Sequence, residues 1–169
     1  MPDPSQELIA CIPRLRRYAR ALVGERNGAD DLVQDTVERG WSRIAEWRRD
    51  ADMRAWLFGI MHNLHVDHLR ARRLQTAPLE EADQQQAPAV NHGAALELRD
   101  MQAALDLLPA EQREILLLVA LEGMTYDQVA GTLGLPLGTV MSRLSRGREK
   151  LRALMEGRAA PVAPLQVVK

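Results

Sequence analysis

The sequence predicts an all-α protein: two small helical domains joined by a flexible linker. Three observations carry this. Ala, Leu, Arg, Glu and Gln dominate, aromatic residues make up only 4%, and β-branched runs are scarce, a composition that favours helix. Apolar residues recur three and four positions apart, the period of a helix with one buried face. Between two groups of such segments, residues 76–94 shift to Pro, Gln and acids, a composition that buries too little apolar surface to order itself. With 169 residues, 46% of them hydrophobic, the chain can hold one ordinary domain or two small ones.

Leu8, Ile12, Leu15, Ala19 and Leu22 predict a first helix, with Pro13 marking either its start or a kink. Gly24 to Gly28 reads as a turn. A second helix over 29–44 would bury Leu32, Val33, Thr36, Val37, Trp41 and Ile44 and show Asp31, Gln34, Asp35 and Glu38. A third over 53–74 would hold Trp56, Leu57, Ile60, Leu64 and Leu69 inside, with Trp56 as a core anchor. Helices resume over 94–107 and 109–122, where Pro109 opens the second and Gly123 closes it. The tail from Arg158, with Pro161 and Pro164, is expected to be disordered.

The most telling stretch is 125–154. Thr125 and Gln128 are spaced as a capping box. Val129, Ala130 and Leu133 form a small apolar face, and Ala130 leaves room for a close crossing. Gly134 suits a left-handed helix end, and Pro136 the first turn of the next helix. Val140, Leu144, Gly147, Leu151 and Leu154 then make one buried stripe, with Ser142, Ser145, Arg146 and Arg148 opposite. Two short helices, a tight turn and a basic second helix are the layout of a helix-turn-helix, whose second helix lies in the DNA major groove. The net charge is only −1, but it is segregated. Residues 29–38 hold four acids and no base, whereas 139–158 hold Arg143, Arg146, Arg148, Lys150, Arg152 and Arg158 against two acids. Such a chain can offer one face to phosphates and another to a basic protein surface.

Cys11 is alone, so no internal disulfide or Cys-based zinc site is expected, and it reads as a packing residue. No signal segment or apolar run approaching ~18 residues is visible, so a cytoplasmic protein is expected. His62, His65 and His68 fan over ~120° of a helix, poor convergence for a metal, and surface placement is expected. No catalytic triad, phosphate-cradling Gly loop or Cys/His cluster appears, so neither enzyme activity nor a cofactor or metal is expected.

Four blocks carry a family resemblance: Ala29-Asp-Asp-Leu-Val-Gln-Asp-Thr, Arg54-Ala-Trp-Leu-Phe-Gly-Ile-Met-His-Asn-Leu-His-Val-Asp-His-Leu-Arg, Leu108-Pro-Ala-Glu-Gln-Arg-Glu and Pro136-Leu-Gly-Thr-Val-Met-Ser-Arg-Leu-Ser-Arg-Gly-Arg. In this order, over roughly 8–156, they resemble the extracytoplasmic-function (ECF, group IV) sigma factors of bacterial RNA polymerase, in the sigma-70 family. The resemblance implies a sigma-2-like domain over 1–75, a flexible acidic linker over 76–94, a sigma-4-like domain over 95–157 and a tail over 158–169. It implies an alternative sigma factor of the stress-response kind, monomeric when free, that binds core polymerase at the β′ clamp coiled coil and the β flap. Asp31, Gln34, Asp35 and Glu38 would meet the clamp. Asn63, Asp67, Arg70, Arg72 and Arg73 would handle the −10 element, and Thr139, Ser142, Arg143, Ser145, Arg146 and Arg148 the −35 element. Arg143 and Arg148 could instead serve phosphates or internal packing. An anti-sigma factor is implied as a further partner. Met141 stands where the family often has Lys or Arg, and Gly147 where it has Ala.

Two other classes compete with this reading. A stand-alone helix-turn-helix regulator would not need the 29–73 module and would usually dimerise on a palindrome. A sigma mimic that only sequesters an anti-sigma factor would not need Asn63 or a basic recognition helix.

Overall fold

The computed structural model of the chain describes the backbone of residues 2–76 and 94–159 and the side chains of 2–75 and 97–157. The described residues form helices α1 (Pro4–Val23), α2 (Arg26–Ser42), α3 (Met53–Thr76), α4 (Ala94–Asp106), α5 (Ala110–Ala120), α6 (Tyr126–Leu133) and α7 (Leu137–Ala159), with a 3₁₀ turn at Ile44–Glu46. No strand occurs among them. Thr76 and Ala94, placed at the ends of the expected linker, belong to helices, as do Arg158 and Ala159 of the expected tail. The rest of both segments lies outside the described residues.

The first module packs α1, α2 and α3. Asp3 caps α1 by accepting the Ser5 N–H, and Pro4 occupies the first turn, where its missing N–H costs nothing. The helix passes through Pro13, which is exposed, while Leu8, Leu15, Tyr18, Ala19 and Leu22 hold the opposite face in the core. Gly24 ends α1 with φ 77° and its N–H on the Arg20 carbonyl. The expected turn ends there, because α2 has begun at Arg26 and Gly28 already lies within it.

Trp41 corrects the expected pattern: it is 53% exposed. The inward stripe of α2 runs Ala29, Leu32, Thr36, Gly40, at spacings of three and four. Gly40 sits against Leu57 so closely that a Cβ there would lie 2.8 Å from Leu57 Cδ2. The helix then stops at Ser42, and the 3₁₀ turn brings Trp47 into the core instead. On α3, Leu57, Phe58, Ile60, Met61 and Leu64 are buried, Trp56 and Leu69 are half-buried, and Phe58 meets Tyr18 edge-on at 4.8 Å.

The second module is built around α5, whose residues from Glu114 to Leu118 are all buried. A helix enclosed on every side needs partners on every side. α6 and α7 supply some, and α1 of the first module supplies another. The buried residues of the two modules therefore form one continuous cluster.

Candidate nucleic-acid interface

The helix-turn-helix forms from local signals. Thr125 accepts from the Gln128 N–H, and the Gln128 side chain accepts in return from the Thr125 N–H at 2.9 Å, completing the capping box. Gly134 ends α6 with φ 65°. Pro136 stands just before α7 rather than within it, its carbonyl accepting from the Thr139 and Val140 N–H groups. Val140, Leu144 and Gly147 are buried, and Leu151 and Leu154 half-buried. A Cβ at position 147 would lie 3.3 Å from Gln112 Cβ, so glycine lets α7 lie close on α5.

Ser142, Ser145, Arg146 and Arg148 are exposed on α7, and Arg146 Nη2 donates to Ser142 Oγ at 3.1 Å. Arg148 reaches the Tyr126 hydroxyl at 3.5 Å. Thr139 and Arg143 are half-buried, and Arg143 pairs with Glu111 of α5 at 3.6 Å. The outer face thus presents a guanidinium and hydroxyls, groups able to reach both base edges and phosphates.

On α2, Asp31, Gln34, Asp35 and Glu38 share one side. Gln34 donates to Glu38, while Asp35 meets His68 Nε2 of α3 at 3.4 Å. Asp31, Gln34 and Asp35 line a groove of about 520 Å³ together with His65, His68 and Arg72. Asn63, Asp67, Arg70, Arg72 and Arg73 are exposed along the C-terminal half of α3. Asn63 lines a different groove, of about 570 Å³, whose far wall is Gln128, Gly131 and Thr132 of α6.

The expected surface placement fails for two of the three histidines. His62 is half-buried and lies 2.6 Å from Glu114 of α5, a contact that raises its pKa above 6.5. His65 is 7% exposed, and burial, with Arg113 and the neighbouring histidines adding to it, lowers its pKa to about 4. Its Nε2 has no hydrogen-bond partner. A base held neutral in this way contributes stability that is fully present above its unfolded pKa near 6.5 and is lost as the pH falls toward 4. His65→Leu is therefore expected to remove at most ~2 kcal/mol of the stability lost between pH 7 and pH 5. Urea unfolding of both proteins at the two pH values measures this, and an unchanged pH dependence refutes it.

The sequence reading missed Glu114, Glu122 and Arg113. Glu122 is buried, accepts from Arg17 Nη2 at 3.1 Å on its Oε1, and has Arg14 at 4.0 Å from its Oε2. An acid closing the apolar run from Ile115 to Leu121 was the available signal. Its arginines, about a hundred positions away, could not be named from spacing.

Residues 8–62 match the family described as the sigma2 domain of PhyR, and residues 98–151 match sigma-70 region 4. The chain is 39% identical over 153 residues to the ECF RNA polymerase sigma factor EcfG of Rhodopseudomonas palustris, covering 88% of this chain and 83% of that protein. It is 37% identical over 147 residues to the ECF sigma factor SigE of Mycolicibacterium smegmatis, covering 82% of this chain and 56% of that longer protein. The sigma factor RpoE from Bartonella quintana, solved in complex with the anti-sigma factor NepR, superposes with a TM-score of 0.77 at 32% identity over 89% of this chain and 95% of that one. Fold and matches together define a DNA-binding regulator of transcription initiation rather than an enzyme. The chain belongs to the ECF sigma factors of bacterial RNA polymerase, within the sigma-70 family. No helix among the described residues is long and apolar enough to cross a membrane.

Proposed function

We propose that this protein binds core RNA polymerase and directs it to promoters carrying a particular pair of −35 and −10 elements. The observation that supports this best is the pairing of an exposed acid face on α2 with an exposed basic reading face on α7 in one chain. Asp31, Gln34, Asp35 and Glu38 would meet the Arg-rich clamp coil of β′, since acids pair well with guanidinium groups. Asn63 would contact a −10 base taken out of the stack, because its amide both donates and accepts. Asp67, Arg70, Arg72 and Arg73 would flank that strand, the arginines on phosphates. Ser142, Ser145, Arg146 and Arg148 would meet the −35 element, with Thr139 at the entry of α7. The tie of Arg143 to Glu111 favours a structural or phosphate role for it over base reading. An anti-sigma factor would hold the protein inactive until a signal arrives; the RpoE–NepR complex is the relative that supports this.

In vitro transcription with bacterial core polymerase and a library of promoter fragments tests the proposal. Initiation from a subset sharing both elements is expected only when the protein is added, and absence of any such initiation refutes it. A second reading, a mimic that only occupies an anti-sigma factor, draws support from the match of residues 8–62 to the sigma2 domain of PhyR. That reading expects no initiation under any promoter set. Arg146→Ala is expected to cost ~1–3 kcal/mol at one −35 base pair while leaving the others unchanged. Competition binding against singly substituted duplexes reads this out, and an unaltered base preference removes Arg146 from the contact set.

A further inference from the structure

The helix that carries Asn63 stands against the helix-turn-helix in this structure. Asn63 of α3 lines one groove with Gln128, Gly131 and Thr132 of α6, the first helix of the helix-turn-helix. The approach is close: a Cβ on Gly59 would lie 3.4 Å from the Thr132 carbonyl oxygen and 3.9 Å from Thr132 Cγ2. Elements at −10 and −35 are ~25 base pairs apart, or ~85 Å along B-DNA at 34–36 Å per turn. A chain whose α3 is docked against the helix-turn-helix cannot bridge that distance, and a −10 strand approaching Asn63 meets the wall of α6.

The contacts that hold this arrangement are polar and specific. Glu122, between α5 and α6, has a side chain with no exposed surface, and its charge faces only first-module arginines among the ion pairs formed. Arg17 donates to its Oε1 at 3.1 Å and to the Leu121 carbonyl at 3.3 Å. Arg54 of α3 donates to the Glu122 backbone carbonyl at 2.8 Å. Further along α5, Glu114 takes His62 of α3 at 2.6 Å. Gln102 and Arg113 fasten the other end, donating to the Ala21 and Leu22 carbonyls at the close of α1. A carboxylate taken wholly out of water is costly unless it is paired. Glu122 therefore favours docking only because the first module brings it cations.

We propose that Glu122 and Glu114 form an intramolecular latch on Arg14, Arg17, Arg54 and His62 that closes the sigma factor on itself and keeps it from engaging the −10 and −35 elements together until the modules separate. This regulation rests on reading Asn63 as the −10 contact and α7 as the −35 reader. Opening exposes the buried carboxylate and the arginines together, so a partner that supplies either charge to the other module shifts the balance between closed and open forms.

Two experiments test the latch separately from that reading. Arg14 and Arg17 are largely exposed on α1, so Arg14→Glu/Arg17→Glu leaves the first-module core intact and sets like charges against Glu122. Its radius of gyration by small-angle scattering is expected to exceed that of the unaltered chain, for which a compact protein of this length gives ~16 Å. Helicity by circular dichroism is expected to stay the same. An unchanged radius overturns the latch whether or not the protein is a sigma factor. The second experiment locks the closed form with Gly59→Cys/Thr132→Cys in a Cys11→Ala background, the short approach suiting a disulfide. Oxidation is expected to cut core-dependent initiation at least ~10-fold, a shift of ~1.4 kcal/mol or more, and reductant to restore it. Equal initiation by the oxidised and reduced forms overturns the proposal. Failure of the unaltered protein to initiate with core would instead sink the promoter-binding reading, and the scattering result would still decide the latch.

Discussion

Arg113→Ala is expected to lower the unfolding free energy by ~3–5 kcal/mol, more than any surface charge in this chain should command. The Arg113 guanidinium donates to four carbonyls: Leu105 at 2.7 Å, and Leu22, Asp106 and Leu108 at 2.9 Å each. Three of these lie at the close of α4 and in the turn that follows, and the fourth lies at the end of α1. Helix ends leave carbonyls without intrahelical partners, and one side chain here satisfies those of two helices from two modules. Burial lowers the Arg113 pKa, but a guanidinium stays charged throughout the accessible range. Each charge-assisted bond contributes ~1.5–3 kcal/mol when buried, and partial exposure of this site reduces the sum. Arg113→Lys keeps the charge and loses the planar fork, so it should recover less than half of the loss. Chemical denaturation of the three proteins decides the matter. A deficit below ~1 kcal/mol for the alanine variant would mean that water replaces the guanidinium at these carbonyls without cost.

The features legible in the sequence are those whose causes are local. Thr125 and Gln128 cap α6 because a capping box needs only its own four residues. Gly134 takes φ 65° because the turn there demands a residue without a Cβ penalty. The α7 stripe of Val140, Leu144 and Gly147 follows from helical period alone. The misreadings arise where one element's end or neighbour decides. Trp41 fits an apolar stripe if α2 continues to 44, but the helix stops at Ser42 and Gly40 takes the contact with α3. His62 and His65 look like solvated positions until α5 is laid against α3, which brings Glu114 to one of them and burial to the other. Gly147 was legible as part of the stripe, but the reason for glycine there was not: Gln112 Cβ lies 3.3 Å from where its Cβ would be. The outward placement of Ser142, Ser145, Arg146 and Arg148 was readable because side chains opposite a buried stripe face outward on their own helix. The docking of the two modules was not, because its hydrogen-bonded partners lie 52 to 105 residues apart in the chain.

Phe58→Ala should cost a similar ~3–5 kcal/mol, and where that loss appears tells how the modules are coupled. Phe58 is 2% exposed, and its ring meets that of Tyr18, also 2% exposed, at 4.8 Å and 67°. Truncation removes the transfer free energy of a benzyl group, leaves a cavity between α1 and α3, and forfeits an edge-to-face pair of ~0.5–1.5 kcal/mol. Phe58→Leu refills part of the space and should lose less than half as much. The same seam carries the second module, since α5 lies on α1 and α6 on α3. With one continuous core, the destabilisation should lower a single unfolding transition seen alike by far-ultraviolet circular dichroism and by loss of −35 duplex binding. If instead duplex binding survives to the midpoint of the unaltered protein while half the helical signal melts early, the modules fold independently. The docked state would then be a contact between two finished domains that adds little to the stability of either one.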